Sequence, residues 1–368
     1  MKLLTKFKEY AVGTLGYNTK RHLVVIESDD WGSVRMPSRK VFNELLGIGE
    51  RVDKDPFLRF DCLESEADLN SVFDILSKFK DIHGKSPVIT ANFAVANPNF
   101  DKINIKNQEY SFELFNTTYS KYYTQNIFSC LKNGIDSGLI YPQLHCREHL
   151  NVNRWMSELY NNQITRLACR HGMIGVYSNF NNENRFGYMD AFNDNWQGRI
   201  NLSDVLSDAV IAFVDIFKFK PKTIVFPCFV WSSNFEIEVR KNGILGIQSA
   251  YWQNIPTGST YRRKLHFFGQ KNKFGTIFSI RNCSLEQALV GDVDKAVSEC
   301  IKEIKQAFYF RKPAIIDMHR VNISGEIFEC NRNKGCVALE KILTWLLKTY
   351  PDVEFVSSDE LNSIISNE

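Results

Sequence analysis

The stretch "VVIESDDWGS", residues 24–33, carries the pattern that most constrains the fold. Val24 to Ser28 form a largely apolar run with the length of one buried strand, and two adjacent carboxylates, Asp29 and Asp30, follow it directly. Successive side chains of an extended segment point in different directions. Two neighbouring acids at a strand end can therefore have different functions, one binding a metal while the other stays free as a base.

The size and composition of the chain indicate a globular α/β protein. Its 368 residues suffice for two domains or for one large α/β barrel. Hydrophobic residues make up 44% and charged residues 24%, which predicts a large core. The net charge of +3 is too small to indicate nucleic acid, so we expect no such partner. The 28 Phe and 14 Tyr are interpreted as core residues rather than as a sugar-binding groove.

The cysteines and the N-terminus predict a cytoplasmic location. The nine cysteines are scattered without a CxxC pair, which is typical of free, mostly buried thiols in a reducing compartment. Lys6, Lys8 and Glu9 interrupt the apolar segment that a signal peptide requires. No apolar run reaches the length of about 18 residues that a membrane span needs. We predict a helical extension over residues 1–20, packed on the domain, with weak contact to a membrane surface as the alternative.

Short apolar runs alternate with helical periods along the chain, which predicts an α/β fold with a parallel sheet. Strands are predicted at 22–28, 87–95, 139–145, 173–178, 223–229, 276–280, 313–319 and 353–358. Helices are predicted at 66–82, 153–170, 205–220, 284–310 and 336–350. Residues 97–123 and 179–203 interrupt the alternation and are predicted as long loop insertions in a single barrel domain over 21–368. The strand count favours a barrel over an open sheet.

Residues of the types that commonly bind metals lie at the ends of three predicted strands. Besides the Asp pair, the segment "HCREH" places His145 and His149 after a middle strand, and "DMH" places Asp317 and His319 after a late one. On a helical turn, the spacing of the first two histidines puts both imidazoles on one face, where they can share a metal. One carboxylate from the first strand completes a two-His, one-carboxylate site. Barrel active sites lie at the carboxyl ends of the strands, where these motifs meet.

In this combination the motifs resemble the polysaccharide deacetylase superfamily, carbohydrate esterase family 4 and its relatives. The matching segments are "SDDWG" (28–32), "HCREH" (145–149), "DMH" (317–319) and "DVEFVSSDEL" (352–361), in the family's order and across nearly the whole chain. The resemblance implies a distorted (β/α)7 barrel with one divalent metal, most often zinc, and an acetylated sugar as substrate. It implies metal binding by Asp30, His145 and His149. It also implies that Asp29 is the general base and that His319 is the general acid.

The chain departs from the family at the arginine that orients the base. The nearest segment, "VFPCFVW" (225–231), keeps Pro227 but has no Arg. Arg147 is our first candidate for this role because it lies inside the His pair, and Arg320 and Arg281 are the alternatives. Asp317 is the candidate to tune His319, since residues two apart on a strand share a face.

Four further residues are candidates for substrate contact. Arg320 and Asn322 follow the same strand end as His319, and Trp31 and Trp231 would stack on a sugar ring if they are not core aromatics.

Three functions are compatible with these residues. The first is a metal-dependent hydrolase that removes an N-acetyl or O-acetyl group from a sugar, with surface-polysaccharide biosynthesis as one setting. The second is a non-catalytic sugar-binding or scaffold barrel, which the missing Arg favours. The third is a glycosidase, which needs two carboxylates about 5 to 10 Å apart across the bond. Asp29 and Asp30 suit that geometry poorly, so Glu27 or Glu148 would have to take part.

Overall fold

The fold was examined in a computed structural model that describes residues 13–123, 126–179 and 187–367. In chain order its strands are β1 (His22–Trp31), β2 (Ile89–Ala94), β3 (Ala96–Pro98), β4 (Phe112–Leu114), β5 (Ile140–Cys146), β6 (Thr223–Val225), β7 (Gly246–Ser249), β8 (Trp252–Thr257), β9 (Thr260–Leu265), β10 (Ile277–Ile280), β11 (Cys283–Ser284), β12 (Ala314–His319) and β13 (Val353–Phe355).

The helices of the described residues lie mainly between the strands of the main sheet. They are α1 (Arg39–Gly47), α2 (Pro56–Phe60), α3 (Glu66–Ser77), α4 (Phe115–Tyr122), α5 (Ile127–Asp136), α6 (Val152–Asn161), α7 (Gln163–Arg170), α8 (Leu202–Phe217), α9 (Asn234–Lys241), α10 (Gln287–Val290), α11 (Val293–Tyr309), α12 (Glu329–Thr349) and α13 (Ser358–Asn367). Short 3₁₀ turns lie at Tyr177–Asn179, Pro227–Phe229 and Arg320–Asn322.

The opening stretch of the sequence forms the central strand of the main sheet. β1 pairs in parallel with β12 on one edge and with β2 and β13 on the other. The sheet continues from β2 through β5, β6 and β7 to β10, and from β12 to β11. The apolar residues Leu23 to Ile26 are at most 1% exposed, because helices cover the outside of a curled sheet whose inside is filled with side chains. This confirms the predicted distorted (β/α) barrel.

The two ends of the strand order are joined by the shortest connection in the sheet. Only Arg281 and Asn282 separate β10 from β11. The backbone N–H of Arg281 donates to the carbonyl of Ser249 on β7 at 2.8 Å, and that of Asn282 donates to Ile315 on β12 at 3.3 Å. The segment 281–282, which we call the closing segment, therefore links the two edges of the curled sheet and turns the Arg281 side chain into the barrel.

Most predicted elements are present, and the exceptions have local causes. The predicted strand at 173–178 is wrong, since residues 173–176 are irregular and the next two belong to the 3₁₀ turn at Tyr177–Asn179. The predicted helix 153–170 is two helices, because Asn162 accepts hydrogen bonds from the backbone N–H groups of Ile164 and Thr165 and so caps α7. The predicted helix 284–310 is likewise divided, at Gly291 with φ of 77° and Asp292, which caps α11.

The two predicted loop insertions differ in structure. Residues 97–123 contain the antiparallel pair β3–β4 and helix α4. The described part of 179–203 is mostly irregular and leads into α8. Most of the predicted extension over residues 1–20 lies outside the described residues. The proposed boundary between this extension and a single domain over 21–368 stays a prediction. Within the described residues, no helix combines the length and the apolar character needed to cross a membrane.

Glu27 on β1 gives the fold a testable dependence on pH. Burial raises its pKa from 4.5 to about 7, against the opposing effect of Arg281, whose Nε donates to it at 2.7 Å. Because the pKa of Glu27 is higher in the folded than in the unfolded protein, protonated Glu27 contributes to stability. This contribution is fully present below pH 4.5 and is lost as the pH rises through about 7. At about 1.4 kcal/mol per pKa unit, we expect the free energy of unfolding of the wild type to fall by about 3 kcal/mol relative to Glu27→Gln over this interval.

The measurement is urea unfolding of both proteins between pH 4.5 and 8. All other titrating groups are common to the two proteins, so the difference between their free energies of unfolding isolates Glu27. A difference that stays constant with pH would show that Glu27 is already ionised in the folded protein.

Candidate metal centre and active site

A break in β1 separates the two neighbouring carboxylates. The pairing of β1 with β2 shifts register between Ser28 and Trp31, and Asp30 has a φ of 73°, which is uncommon for a residue other than glycine. Gly32 also has a positive φ, 75°, and a Cβ there would lie 2.7 Å from the carbonyl oxygen of Ala94. The strand therefore ends in a bulge that turns the Asp30 side chain away from that of Asp29.

Asp30 faces the two predicted histidine ligands. Its Oδ1 lies 3.6 Å from Nε2 of His145 and 3.4 Å from Nε2 of His149. His145 is the sixth residue of β5, and the chain bends through residues 147–150, so the pair is brought together by this bend and not by a helical turn. Nδ1 of His145 lies 2.8 Å from the carbonyl oxygen of Val225, which accepts from Nδ1–H and so turns Nε2 toward Asp30.

This arrangement suits a divalent cation. Burial and, after it, Arg35 lower the pKa of His149 well below its ordinary value, which keeps this imidazole neutral. Asp30 Oδ1 is buried and has no hydrogen-bond partner in the part of the chain that the structure describes. The ligand atoms of the three residues lie within 4.8 Å of one another. An anionic oxygen that faces imidazole lone pairs is unfavourable unless a cation lies between them, and two imidazoles with one carboxylate are a ligand set that zinc accepts.

Asp29 is held by a different set of partners. Arg281 donates from Nη1 to Oδ2 at 2.6 Å and from Nη2 to Oδ1 at 2.7 Å, and Asn92 donates to Oδ1 at 2.8 Å. Burial alone would raise the pKa of Asp29, but Arg281 outweighs it and holds that pKa below its usual range. Asp29 is thus an oriented carboxylate that is ionised at neutral pH.

The prediction that Arg147 orients the base is wrong, and Arg281, one of the alternatives, makes that contact. Arg147 donates to Glu148 at 2.6 and 2.7 Å and to Asp208 at 2.8 Å. Its guanidinium lies 4.3 Å from the ring centre of Phe112. Glu148 is therefore held by Arg147, as Glu27 is held by Arg281. Neither glutamate lines the cavity described below, which removes the support for a glycosidase.

His319 is positioned by Glu286, which the sequence did not indicate. His319 Nδ1 lies 2.6 Å from Glu286 Oε1, and Asn322 donates to the other oxygen of Glu286 at 2.6 Å. Although burial disfavours the charged imidazole, Glu286 raises the pKa of His319 well above its ordinary value. Asp317 was predicted as the tuning residue, but its contact is with Arg281 Nη1 at 2.7 Å, and it acts on His319 only through its charge.

Four predicted substrate contacts are wrong because the side chains are buried away from the cavity. Trp31 is 0% exposed and donates to Ser28, and Trp231 is 0% exposed and stacks on Phe226, so both are core aromatics. Arg320 is 0% exposed and donates to Asp61, to Glu64 and to the carbonyl of Ser33. Asn322 is 1% exposed and donates a hydrogen bond to Glu286.

Pro227 is also buried and begins the 3₁₀ turn after β6. The cavity is lined instead by its neighbours Phe226, Cys228 and Phe229, the last two with positive φ of 57° and 53°. The part of the motif that keeps Pro227 therefore shapes the cavity wall through the residues on either side of the proline.

The candidate residues open into one cavity of 340 Å³ at the carboxyl ends of β1, β5, β6 and β12. Its lining consists of Asp29, Asp30, Arg35, Asp55, Phe57, Leu58, His145, His149, Met189, Val225, Phe226, Cys228, Phe229 and His319. All five residues of the predicted metal, base and acid set are among them. The remaining wall is largely apolar in the described residues, and the arginine among them, Arg35, was not predicted from the sequence.

Comparisons with known proteins found distant likenesses among solved structures. No family model matches the chain, and no curated protein matches it. Two solved structures similar to it are proteins assigned as polysaccharide deacetylases. One is from Mycobacterium smegmatis (8% identity, 96% of this chain and 93% of that chain, TM-score 0.43), and the other is from Pseudomonas aeruginosa PAO1 (8%, 95% and 92%, 0.46). A third is a protein from Parabacteroides distasonis assigned as a glycoside hydrolase or deacetylase (9%, 95% and 72%, 0.47).

With TM-scores below 0.5, these likenesses carry no conclusion about chemistry. The chain resembles the polysaccharide deacetylase superfamily in the order of its three motifs and in their positions, at the ends of β1, β5 and β12 around one cavity.

Proposed function

We propose that this protein is a metal-dependent hydrolase that removes an N-acetyl or O-acetyl group from a sugar. The observation that carries the proposal is the buried Asp30 Oδ1, which has no hydrogen-bond partner among the described residues and faces two imidazoles beside a second, separately held carboxylate. A zinc ion held by Asp30, His145 and His149 would act as a Lewis acid toward water and the acetyl carbonyl. Asp29 and His319 would carry the two proton transfers.

The base and the acid are held in forms suited to these transfers. Asp29 is anionic and fixed by Arg281 and Asn92, so it accepts the proton of the attacking water. Glu286 fixes His319 Nδ1 and favours the protonated ring, which leaves Nε2–H to donate to the leaving amine or hydroxyl. The water oxygen joins the acetyl carbon, the bond from that carbon to the sugar nitrogen or oxygen breaks, and acetate and a free amine or hydroxyl result.

The size of the cavity supports a small substrate, and the cysteines support an intracellular one. At 340 Å³ the cavity is at the lower end of the range for small-molecule sites, which suits one sugar ring and its acetyl group. All nine cysteines lie in the described residues, none of them is in a disulfide and five are buried, which fits a reducing compartment. We therefore propose a cytoplasmic acetylated sugar or short oligosaccharide, such as an intermediate of surface-polysaccharide assembly.

The contacts of Arg281 weaken the alternative of a non-catalytic barrel. That alternative depended on the missing arginine of the motif around Pro227. In the described structure Arg281 makes a two-point contact with Asp29 from the closing segment instead. The contact expected between base and arginine is therefore retained, although the arginine comes from another part of the chain.

The test is acetate release by the purified protein, measured with N-acetylchito-oligosaccharides of one to five residues and with an O-acetylated xylo-oligosaccharide. We expect release that EDTA abolishes and added zinc restores, with about one metal ion per chain by elemental analysis. A wild-type protein that binds no metal after incubation with zinc, cobalt or manganese would exclude the metal-dependent mechanism.

A further inference from the structure

Arg35 is a buried cation on the wall of the cavity. It follows the bulge at the end of β1, is 8% exposed and lines the cavity together with Met189. Its guanidinium lies 5.8 Å from the ring centre of Phe57, and the same ring makes an edge contact with His319 at 5.4 Å. Arg35 and His319 therefore both contact one aromatic ring, and both line the same cavity as Asp30.

The hydrogen-bond donors of Arg35 are incompletely used. Nη2 donates to Asp30 Oδ2 at 3.1 Å. Nε has no hydrogen-bond partner within residues 13–123, 126–179 and 187–367, and it lies 3.8 Å from Asp61 Oδ2. Nη1 contacts the sulfur of Met189, and a thioether is a weak acceptor. A buried guanidinium normally has its donors paired with oxygen, so an Nη1 whose one acceptor among the described residues is a sulfur, on a cavity wall, indicates a donor kept for a ligand.

The contact with Asp30 fixes where this donor lies. Asp30 presents Oδ1 to the two histidines and Oδ2 to Arg35, so the guanidinium is beside the candidate metal centre and on the opposite side of the carboxylate. Burial alone would lower the pKa of Arg35, but Asp30 and Asp61 raise it, which keeps the guanidinium charged. In a largely apolar cavity a fixed positive charge stabilises developing negative charge more strongly than it would in water.

We propose that Arg35 is a further catalytic residue, whose Nη1–H donates a hydrogen bond to the acetyl carbonyl oxygen as that oxygen gains negative charge. The inference rests on the proposed function. When water adds to the acetyl carbon, the π electron pair moves onto the oxygen, and Arg35 stabilises it without transferring a proton. When the bond to the leaving group breaks, the pair returns to the carbonyl, and the leaving group takes its proton from His319.

The experiment compares Arg35→Lys, Arg35→Gln and Arg35→Ala with the wild type. We expect kcat for acetate release to fall by about 10²- to 10³-fold in the Gln and Ala variants, the loss typical of removing one such donor. KM and zinc content should stay near the wild-type values, and Arg35→Lys should be intermediate. Added guanidinium should restore part of the activity of Arg35→Ala and none of the activity of Asp29→Asn. Arg39→Ala is the matched control, because Arg39 is exposed on α1 and packs on Phe328 at 5.2 Å.

A second readout does not depend on turnover. Methylphosphonate resembles the tetrahedral form of the acetyl group, and its affinity can be measured by calorimetry with and without zinc. We expect Arg35→Gln to lower the affinity for methylphosphonate by about 10- to 100-fold, as for the loss of a charge-assisted hydrogen bond. The affinity for planar acetate should change less. This result would support the assignment of Arg35 even if the wild type released no acetate, in which case the proposed function alone would fail.

Three results would overturn the assignment. Loss of zinc in step with activity in the Gln and Lys variants would mean that Arg35 only holds Asp30 in place. A rise in KM with unchanged kcat would mean that it binds a charged group of the substrate in the ground state. Unchanged kcat and unchanged methylphosphonate affinity would mean that it has no role in the reaction.

Discussion

In the Asp30→Asn protein, we expect bound zinc and acetate release to be lost together. Asn keeps the shape of the side chain and can still accept from Arg35, but it is neutral and a poorer metal ligand than a carboxylate. Removing a residue that only hydrogen-bonds to a metal ligand lowers metal affinity about 10- to 100-fold. Removing the charge of a ligand itself should therefore lower the affinity for zinc by more than about 100-fold. Titration with a zinc-sensitive dye, beside the acetate assay, measures both quantities.

Asp190→Asn is the matched control for this change. Asp190 is also a fully buried aspartate, but its partners are Asn193 and Tyr261, and it does not line the cavity. We expect this variant to bind zinc like the wild type. If Asp30→Asn also kept its zinc, with an unchanged circular dichroism spectrum, Asp30 would not be a ligand and the site would have to be reassigned.

The second large effect is expected in Asp29→Asn, which should keep its zinc and lose turnover. Asn can still accept from Arg281 but cannot take up the proton of the attacking water. General-base catalysis contributes about 10²- to 10⁴-fold, so kcat should fall by that amount while zinc affinity changes little. Asp190→Asn is again the control, because it removes a buried carboxylate that does not line the cavity.

Full turnover by Asp29→Asn would show that the base is a different group. Loss of zinc in this variant would show that the bulge of β1 does not separate the roles of the two acids. The pair Asp30→Asn and Asp29→Asn therefore tests directly whether two adjacent carboxylates have different functions, as the sequence "SDD" predicts.

The sequence was sufficient to predict the residues that end the apolar strands. A run of apolar side chains followed by Asp, His or Asn is a local pattern, and parallel strands bring such ends to one edge whatever lies between them. Asp29, Asp30, His145, His149 and His319 were predicted in this way, and all five line the cavity. The spacing of the two histidines was expected to place them on one face of a helical turn. In the structure a bend after β5 brings them together instead.

The partners of these residues could not be predicted, because they depend on long-range packing. Arg147 is close in sequence to the His pair, yet its guanidinium turns to Glu148 and Asp208. Arg281 reaches Asp29 from 252 positions away, through a two-residue connection that has no apolar periodicity to predict it. Trp31 and Trp231 show the same limit, since an aromatic residue after a strand packs equally well in a core or beside a ligand.

The closing segment makes the order of folding relevant to the chemistry. Arg281 lies on the connection that joins the two edges of the sheet, and its contact with Asp29 spans most of the chain. Contacts between residues so distant in sequence form late, because a long loop must be closed first. A chain released before this closure would have the apolar strands and the metal ligands of β1 and β5 but no oriented base. The ability to hydrolyse substrate would then appear at the end of folding, and metal binding would precede it.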